Sequence, residues 1–168
     1  AAIDYPEDKK EILVLINDTD DDETIRLAKE TIASIGASNI HLITFTGTPI
    51  NKPKGLNIGL KRATKGIVTI FDAEDEVHPD LFRMMNTVFI ERKSDVVQSG
   101  VQLMNYRSSW FSLFNVLEYF FWFKSALHFF AAGGMIPLGG NTVFFKREWL
   151  NKVKGWDEYC LTEDADIG

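Results

Sequence analysis

Short apolar runs alternate with amphipathic segments along the first half of the chain. The runs at residues 11–17, 40–45 and 67–71 are too short for ordinary helices and are rich in Ile, Leu, Val and Phe, which is typical of buried strands. Between them apolar residues recur at helical spacing, and Gly36 and Gly66 stand where the two helices would end. Two short crossovers of this kind predict an α/β fold with a mostly parallel wound sheet.

The second half of the chain continues the pattern less regularly. Pro79 is expected at the first position of a third helix, because proline is favoured there. Residues 95–104 are strand-like, and a pair of glycines leads into another short strand that ends at residue 145. A brief helix over residues 147–153 follows, and Thr162 is a good N-cap for a last helix.

Residues 109–131 form the least regular stretch, an aromatic segment interrupted by Glu118, Lys124 and His128. A membrane-spanning helix needs about 20 predominantly apolar residues, so the interrupting charges argue against one. Ser112, Asn115 and Glu118 fall on one polar stripe. We therefore expect an amphipathic helix that lies on a membrane or against a partner domain, with ordinary core packing in an intact protein as the alternative.

Composition narrows the class of protein. A chain of 168 residues with 45% hydrophobic residues can bury the core of one domain. The net charge of −6, with no concentrated basic face, argues against a nucleic-acid backbone as the main partner. The single cysteine, Cys160, excludes an internal disulfide framework and a cysteine metal cluster.

An acidic stretch follows the third buried run. Asp72, Glu74, Asp75 and Glu76 crowd the place where the strand surfaces, so their charges repel one another unless a cation or a solvated loop offsets them. A divalent cation such as Mg²⁺ or Mn²⁺ prefers oxygen ligands and would resolve the conflict. A solvated turn before a helix is the alternative.

A second group of acids, between residues 18 and 23, follows the first strand. These acids complement the dipole of the helix that they precede, although Asp18 lies nearest to the strand end.

Several motifs occur in an order and spacing that resemble family-2 glycosyltransferases, most closely the membrane-bound, cellulose-synthase-like branch. They are Lys52-Pro53-Lys54-Gly55-Leu56-Asn57, Asp72-Ala73-Glu74-Asp75, Gln98, Pro137-Leu138-Gly139-Gly140-Asn141, Gly155-Trp156-Asp157 and Thr162-Glu163-Asp164-Ala165-Asp166. Each motif alone is weak, but together they cover nearly the whole chain. The resemblance implies a GT-A fold that binds a nucleotide-diphosphate sugar, most often a UDP-sugar, with Mg²⁺ or Mn²⁺.

The resemblance also implies roles for particular residues. Asp72 and Glu74 match the paired metal-binding acids of the Asp-x-Asp motif, with Glu in the second place. Asp18 matches a contact to the nucleoside, although the usual Asp-Asp pair is Asn-Asp here, and Lys52 matches a lysine near the diphosphate. Asp164 matches the catalytic base. Asp75 is an extra acid without an assigned contact.

The chemistry of sugar transfer agrees with these roles. Displacement of a nucleoside diphosphate leaves negative charge on phosphate oxygens, which a metal ion can stabilise, and an acceptor hydroxyl needs a base. A single displacement would invert the anomeric centre and give a β-linkage. The resemblance implies a hexosyltransferase of polysaccharide biosynthesis with UDP-glucose or UDP-N-acetylglucosamine as donor, and a glycan or a lipid-linked acceptor. It also implies an integral membrane protein whose site lies on the cytoplasmic face.

The same resemblance implies that residues 1–168 are one truncated catalytic domain, with the aromatic helix at 109–131 inside it. The family's first strand would precede residue 1, and its Gln-x-x-Arg-Trp segment and transmembrane helices would follow residue 168. The nucleotide and acceptor sites would then be incomplete, so we expect the isolated fragment to be inactive or nearly so. The expectation concerns the chain by itself and not the intact enzyme.

Three other classes of protein stay open at this point. A sugar nucleotidyltransferase also uses a wound sheet and a metal held by acids. It requires a glycine-rich, basic phosphate loop near its N-terminus, and no such run occurs in this sequence. A non-catalytic nucleotide-sugar-binding module would keep Asp18 and Asp72 and need no base. A receiver-like signalling domain would gather acids at strand ends but has no use for the glycine pair or the aromatic helix.

Overall fold

The computed structural model describes residues 3–20 and 22–168, which form five strands and seven α-helices. The strands are β1 (Ile12–Asn17), β2 (Ile40–Phe45), β3 (Ile67–Thr69), β4 (Val96–Gln98) and β5 (Val143–Lys146). The helices are α1 (Asp22–Ile35), α2 (Lys52–Arg62), α3 (Leu81–Arg92), α4 (Trp110–Phe121), α5 (Leu127–Gly133), α6 (Arg147–Val153) and α7 (Glu163–Asp166). A 3₁₀ turn at Glu7–Lys9 precedes β1. Asp21, one of the acids expected to complement a helix dipole, lies outside the described residues.

The strands form two small sheets. β1 pairs in parallel with β2, which α1 connects, as the sequence pattern predicts. β5 lies between β3 and β4 and runs antiparallel to both, so the expectation of a mostly parallel sheet is wrong for this half. The run Val143–Phe145 is fully apolar and almost inaccessible to solvent, which suits a central strand of either direction, so the pattern did not determine the antiparallel pairing.

Several element bounds differ from those expected. The sequence pattern predicts a loop over residues 46–55, but α2 begins within it at Lys52, because the side chain of Asn51 accepts a hydrogen bond from the amide of Lys54 at 3.1 Å and caps the helix. α3 begins at Leu81 and not at Pro79, because residues 78–80 form a turn closed by a bond from the Leu81 amide to the His78 carbonyl. The strand expected at residues 95–104 ends at Gln98, the last residue that pairs with β5.

The last helix begins after Thr162, as expected, but without the expected side-chain cap. The reason is its length, since α7 is a single turn closed by a backbone hydrogen bond of 3.0 Å from Asp166 to the carbonyl of Thr162. Two further features agree with the sequence pattern. Gly36 has a φ of 65° at the end of α1, and Gly155 has a φ of 77° after α6.

The main core packs around β5. Phe145, Leu150 and Val143 are its most deeply buried large side chains, and the Trp156 ring meets Phe145 edge to face at 5.8 Å. A second group of buried side chains, Leu81, Phe89 and Phe144, attaches α3 to the other face of β5. The core thus anchors β3, and the loop after β3 carries the predicted site residues Asp72 and Glu74.

A cavity of about 550 Å³ separates the two sheets. Leu13 and Leu15 of β1 line one side, and residues 67–71, which include β3, line the other. Within the described part of the chain β1 pairs only with β2 and β3 only with β5, so the two facing edges have no strand partner. The carboxylate of Glu11 connects the two sides at one end, where it accepts hydrogen bonds from Thr64 and Lys65.

The aromatic segment, residues 110–133, consists of α4, a π-helical turn at Trp122–Ala126 and α5. Its polar stripe faces inward at its start, because Ser112 is buried and its hydroxyl lies 2.7 Å from that of Ser108. Trp110, Phe111 and Phe114 are instead exposed, by 77%, 59% and 59%. Across the described residues, no helix combines the length and the apolar character needed to cross a bilayer.

Candidate active site

Lys52 and Asp72 meet at the carboxyl end of β3. Lys52 is the first residue of α2, and its ammonium nitrogen lies 2.5 Å from Oδ1 of Asp72. The same nitrogen donates a hydrogen bond of 3.2 Å to the carbonyl oxygen of Gly140. Both side chains are partly exposed, so the pair lies at the surface of a cleft rather than in the core. A cation and an anion are therefore held together where a charged ligand can reach them.

Asp164 approaches the same place from α7. A Cβ atom built on Gly140 would lie 3.1 Å from Oδ2 of Asp164 and 3.9 Å from the nitrogen of Lys52. Gly140 is thus a point of close approach where a side chain would crowd the carboxylate of Asp164 and touch the ammonium of Lys52. Lys52, Asp72 and Asp164, which the sequence separates by up to 112 residues, converge on one glycine.

The acid loop, residues 71–76, follows β3 and offers two carboxylates to a ligand. Asp72 keeps one oxygen beyond its contact with Lys52, and Glu74 is exposed and has no hydrogen bond or ion pair within the described part of the chain. No cluster of three or more His, Cys, Asp or Glu side chains suited to a metal occurs in residues 3–20 and 22–168. Two carboxylates nonetheless fit Mg²⁺ or Mn²⁺, because such ions commonly take one or two protein carboxylates and complete their shell with phosphate oxygens and water.

Asn17 and Asp18 end β1. Asp18 is exposed, and its amide donates to the carbonyl of Phe45 at 2.9 Å. No hydrogen bond or ion pair within the described residues joins its side chain to Lys52 or Asp72. The amide oxygen of Asn17 accepts two bonds from Thr19, whereas its amide nitrogen is buried without a partner in the described part of the chain. A buried donor without a partner is costly, so this nitrogen is available to a ligand carbonyl.

The glycine loop, residues 138–142, is held by polar side chains to which the sequence assigned no role. Gln98 accepts a hydrogen bond of 2.7 Å from the amide of Gly139 and donates one of 3.2 Å to the carbonyl of Asn141. The side chain of Asn141 in turn donates to both carboxylate oxygens of Asp75. Gln98 and residues 137–141 occur among the motifs that resemble the family, but a motif does not identify the partner of a side chain.

A second set of polar contacts holds α2 to the loop before α7. Asn57 donates to the carbonyl of Trp156 at 2.8 Å and to Glu158 at 3.0 Å, and Lys54 pairs with Glu158 at 3.1 Å. The hydrogen bond from Asn57 lowers the pKa of Glu158 from its usual value, against a smaller opposing effect of burial, and Lys54 lowers it further. These contacts position the helix that carries Lys52 relative to the segment that carries Asp164.

Comparison with known proteins identifies relatives of the whole chain. The profile of the family described as "Glycosyltransferase like family 2" matches residues 1–168. Beta-monoglucosyldiacylglycerol synthase of Trichormus variabilis is 25% identical over 167 residues, which is 98% of this chain and 35% of that protein. "Probable glycosyltransferase YdaM" of Bacillus subtilis is 20% identical and covers 97% of this chain and 39% of its own length. The chain thus spans about a third of the length of these curated relatives.

Solved structures of similar fold agree with the family. A mannosyltransferase of Pyrobaculum calidifontis in complex with GDP-Man and Mn²⁺ superposes with a TM-score of 0.71 at 21% identity, over 99% of this chain and 44% of that one. S. aureus TarS 1-349 in complex with UDP-GlcNAc superposes with a TM-score of 0.62 at 16% identity, over 99% and 45% of the two chains. The expected α/β fold of the GT-A type is confirmed by this likeness.

Proposed function

The chain belongs to glycosyltransferase family 2, and from that membership we propose that its cleft transfers a hexose from a nucleotide-diphosphate sugar to a hydroxyl of a glycan or lipid-linked acceptor, with inversion. The observation that carries the proposal is the meeting of Lys52, Asp72 and Asp164 around Gly140. A cation, a possible metal ligand and a candidate base on three separate elements suit the departure of a diphosphate and the deprotonation of an acceptor.

Each side chain has a distinct task in the proposed displacement. The ammonium of Lys52 binds the diphosphate and offsets the charge that develops on it, and Asp72 orients that ammonium. Mg²⁺ or Mn²⁺ held by Asp72 and Glu74 would supply Lewis-acid stabilisation of the same charge. The carboxylate of Asp164 takes the proton of the acceptor hydroxyl as the hydroxyl oxygen bonds to the anomeric carbon. Because one displacement occurs, an α-linked donor gives a β-linked product.

The nucleoside is assigned to the end of β1. Asp18 is exposed there for a contact to ribose or base, and the free amide nitrogen of Asn17 suits a carbonyl oxygen of the base. We assign UDP-glucose or UDP-N-acetylglucosamine as the donor. The names of the relatives support a glucose or N-acetylglucosamine donor, since one is a monoglucosyldiacylglycerol synthase and TarS was crystallised with UDP-GlcNAc.

A membrane surface is the proposed setting of the intact protein. The exposed aromatic side chains of the aromatic segment suit the headgroup region, where aromatic rings are favoured, and the buried Ser112 shows that the apolar side of α4 is the outer one. We assign the protein to the cellulose-synthase-like branch of polysaccharide biosynthesis, as an integral membrane protein with its site on the cytoplasmic face. A lipid or a growing glycan held at that surface could enter the cleft directly.

Residues 1–168 are proposed to be one truncated catalytic domain that is inactive or nearly so by itself. The edges of β1 and β3 along the cavity support this, because neither has a strand partner among the described residues and each could pair with a further strand. Turnover of a radiolabelled UDP-sugar by the isolated chain, at the rate of the intact protein, would overturn this assignment.

The function is tested by product analysis. Membranes that contain the intact protein, radiolabelled UDP-glucose or UDP-N-acetylglucosamine, and Mn²⁺ should yield UDP and a β-linked product identified by mass spectrometry and glycosidase digestion. Membranes without the protein are the control. Tight nucleotide-sugar binding without a product would favour the non-catalytic binding module, and an α-linked product would rule out the single displacement.

A further inference from the structure

Asp75 is the one acid of the acid loop that is fully engaged with the protein. Its Oδ2 accepts the amide of Asp72 at 2.8 Å, and its own amide donates to the carbonyl of Asp72 at 3.1 Å. The side chain of Asn141 donates to Oδ1 and Oδ2 at 3.1 and 2.9 Å. Asp75 therefore closes the acid loop on itself and ties it to the glycine loop at the same time.

The glycine loop is fixed from its other side as well. Gln98, at the end of β4, bonds to Gly139 and to the carbonyl of Asn141, and the amide of Thr142 donates to the carbonyl of Ile70 at 2.8 Å. Because Gly140 lies between these anchored residues, its carbonyl is held at a set position for Lys52. The place where Lys52, Asp72 and Asp164 meet thus depends on how the two loops are spaced.

We propose that Asp75 is a positioning residue for the diphosphate end of the site, and that it acts through its acceptor oxygens and not through its charge. It holds the backbone of Asp72 against the glycine loop so that Asp72 and the carbonyl of Gly140 face the ammonium of Lys52 together. The inference rests on the proposed function, since it names the residue that pre-organises the donor site of that reaction.

The hydrogen-bond pattern separates this role from that of a metal ligand. A metal ligand needs its negative charge, and an amide in its place binds a hard cation far less well. A positioning acceptor needs only one oxygen toward Asp72 and a partner for Asn141. Asparagine at position 75 can supply both, because its oxygen can accept from Asp72 while its amide nitrogen donates to the oxygen of a flipped Asn141.

The test compares Asp75→Ala, Asp75→Asn and Asn141→Ala in the intact protein, with Glu76→Ala as the matched control because Glu76 is an exposed acid next in the chain. Calorimetric titration with UDP in Mn²⁺ should show about tenfold weaker binding for Asp75→Ala and for Asn141→Ala, the scale of a lost hydrogen bond to a charged group. Asp75→Asn and Glu76→Ala should stay within about twofold of the wild type. The double variant Asp75→Ala/Asn141→Ala should have the same UDP affinity as the weaker-binding single variant, since both substitutions remove the same contact between the two loops.

Amide hydrogen exchange of the same proteins without nucleotide reads the contact between the loops directly. Asp75→Ala should speed exchange in peptides that cover residues 71–76 and 138–142, and Asp75→Asn should not. Unchanged exchange in Asp75→Ala, or a loss in Asp75→Asn as large as in Asp75→Ala, overturns the positioning role. If the exchange result is as expected but the wild type does not bind UDP, the donor site of the proposed function is wrong. The claim that Asp75 serves that site is then wrong too, whereas its role in joining the two loops remains.

Discussion

The proposed active-site cleft and the aromatic segment place their polar and apolar side chains in opposite ways. In the cleft, polar side chains from α2, the acid loop and the glycine loop bond to one another, so its geometry is set within the chain. In the aromatic segment the polar residue Ser112 is buried and most of the large aromatic rings are exposed, so the described residues do not cover its apolar surface. The polar groups of the proposed site are thus paired within the described chain, whereas the apolar rings of the aromatic segment are left exposed by it.

The two regions meet at the glycine loop. A Cβ atom on Gly139 would lie 3.7 Å from the ring of Phe123, which belongs to the π-helical turn between α4 and α5. π-Helical turns often occur at functional sites, and this one brings the aromatic segment next to the loop that carries Gly140. The contact is small, so substitutions in one region should leave the main property of the other intact. Three expectations test this separation.

The largest effect is expected from Asp164→Asn. Loss of the carboxylate removes the base, and general base catalysis contributes about a hundredfold to ten-thousandfold, so transfer by the intact protein should fall about a thousandfold. UDP affinity should change little, because Asp164 makes no bond to Lys52 or Asp72 in the described part of the chain. Transfer rates and UDP titration measure the two properties.

The matched control is Asp166→Asn, a neutralisation on the same helix at an exposed position. It should keep transfer within about twofold, since a surface charge contributes little. An equal loss in both variants would attribute the effect to the charge of α7. A parallel loss of UDP affinity in Asp164→Asn would remove the base assignment.

The next effect concerns the aromatic segment. Replacement of Trp110, Phe111 and Phe114 by Ser in the intact protein removes apolar area from the surface expected to contact the bilayer. With about 1 kcal/mol lost per partly inserted ring, transfer to a membrane-held acceptor should fall about a hundredfold while UDP affinity stays unchanged. Tyr159→Ser, which also alters an exposed aromatic residue, should leave both properties unchanged. A loss of UDP affinity in the triple variant would mean that these rings support the cleft instead.

The smallest effect is expected from Gly140→Ala. The added methyl group would lie 3.1 Å from Asp164 and must displace it by a few tenths of an ångström, which should lower kcat/KM about tenfold. Gly100→Ala is the control, since no atom of the described residues beyond its own chain neighbours lies within 4 Å of a Cβ placed there. Membrane contact should be the same in both variants. Wild-type activity of Gly140→Ala would show that the close approach of Asp164 to Gly140 is not part of the working site.

Local patterns predicted the order of elements well. The β1–α1–β2 unit, the end of α1 at Gly36 and the buried run of β5 follow from apolar periodicity and turn chemistry. The antiparallel placement of β5 could not be read from the chain, because a short apolar run fits a central strand of either direction. The early start of α2 was missed since the capping residue, Asn51, lies in a stretch with other turn signals.

The charged residues of the candidate site could be predicted from the sequence, but the residues that hold its loops in place could not. Lys52, Asp72 and Asp164 could be named from their motifs, and the structure brings them together at Gly140. Asp75 and Gln98 owe their roles to partners 66 and 41 residues away in the sequence, and such partners leave no local pattern. The exposed rings of the aromatic segment agree with the amphipathic helix expected there, although the sequence left core packing open because a polar stripe does not indicate which side of a helix is buried.

The central claim is that Asp72 and Glu74 bind a divalent cation that stabilises the negative charge of the departing diphosphate. The most direct measurement is calorimetric titration of UDP into the intact protein with and without Mn²⁺, for the wild type and for Asp72→Ala/Glu74→Ala. The account predicts that Mn²⁺ strengthens UDP binding at least about tenfold in the wild type and has no effect in the double variant. UDP affinity that is indifferent to Mn²⁺ in the wild type, or a full response to Mn²⁺ in the double variant, would contradict it.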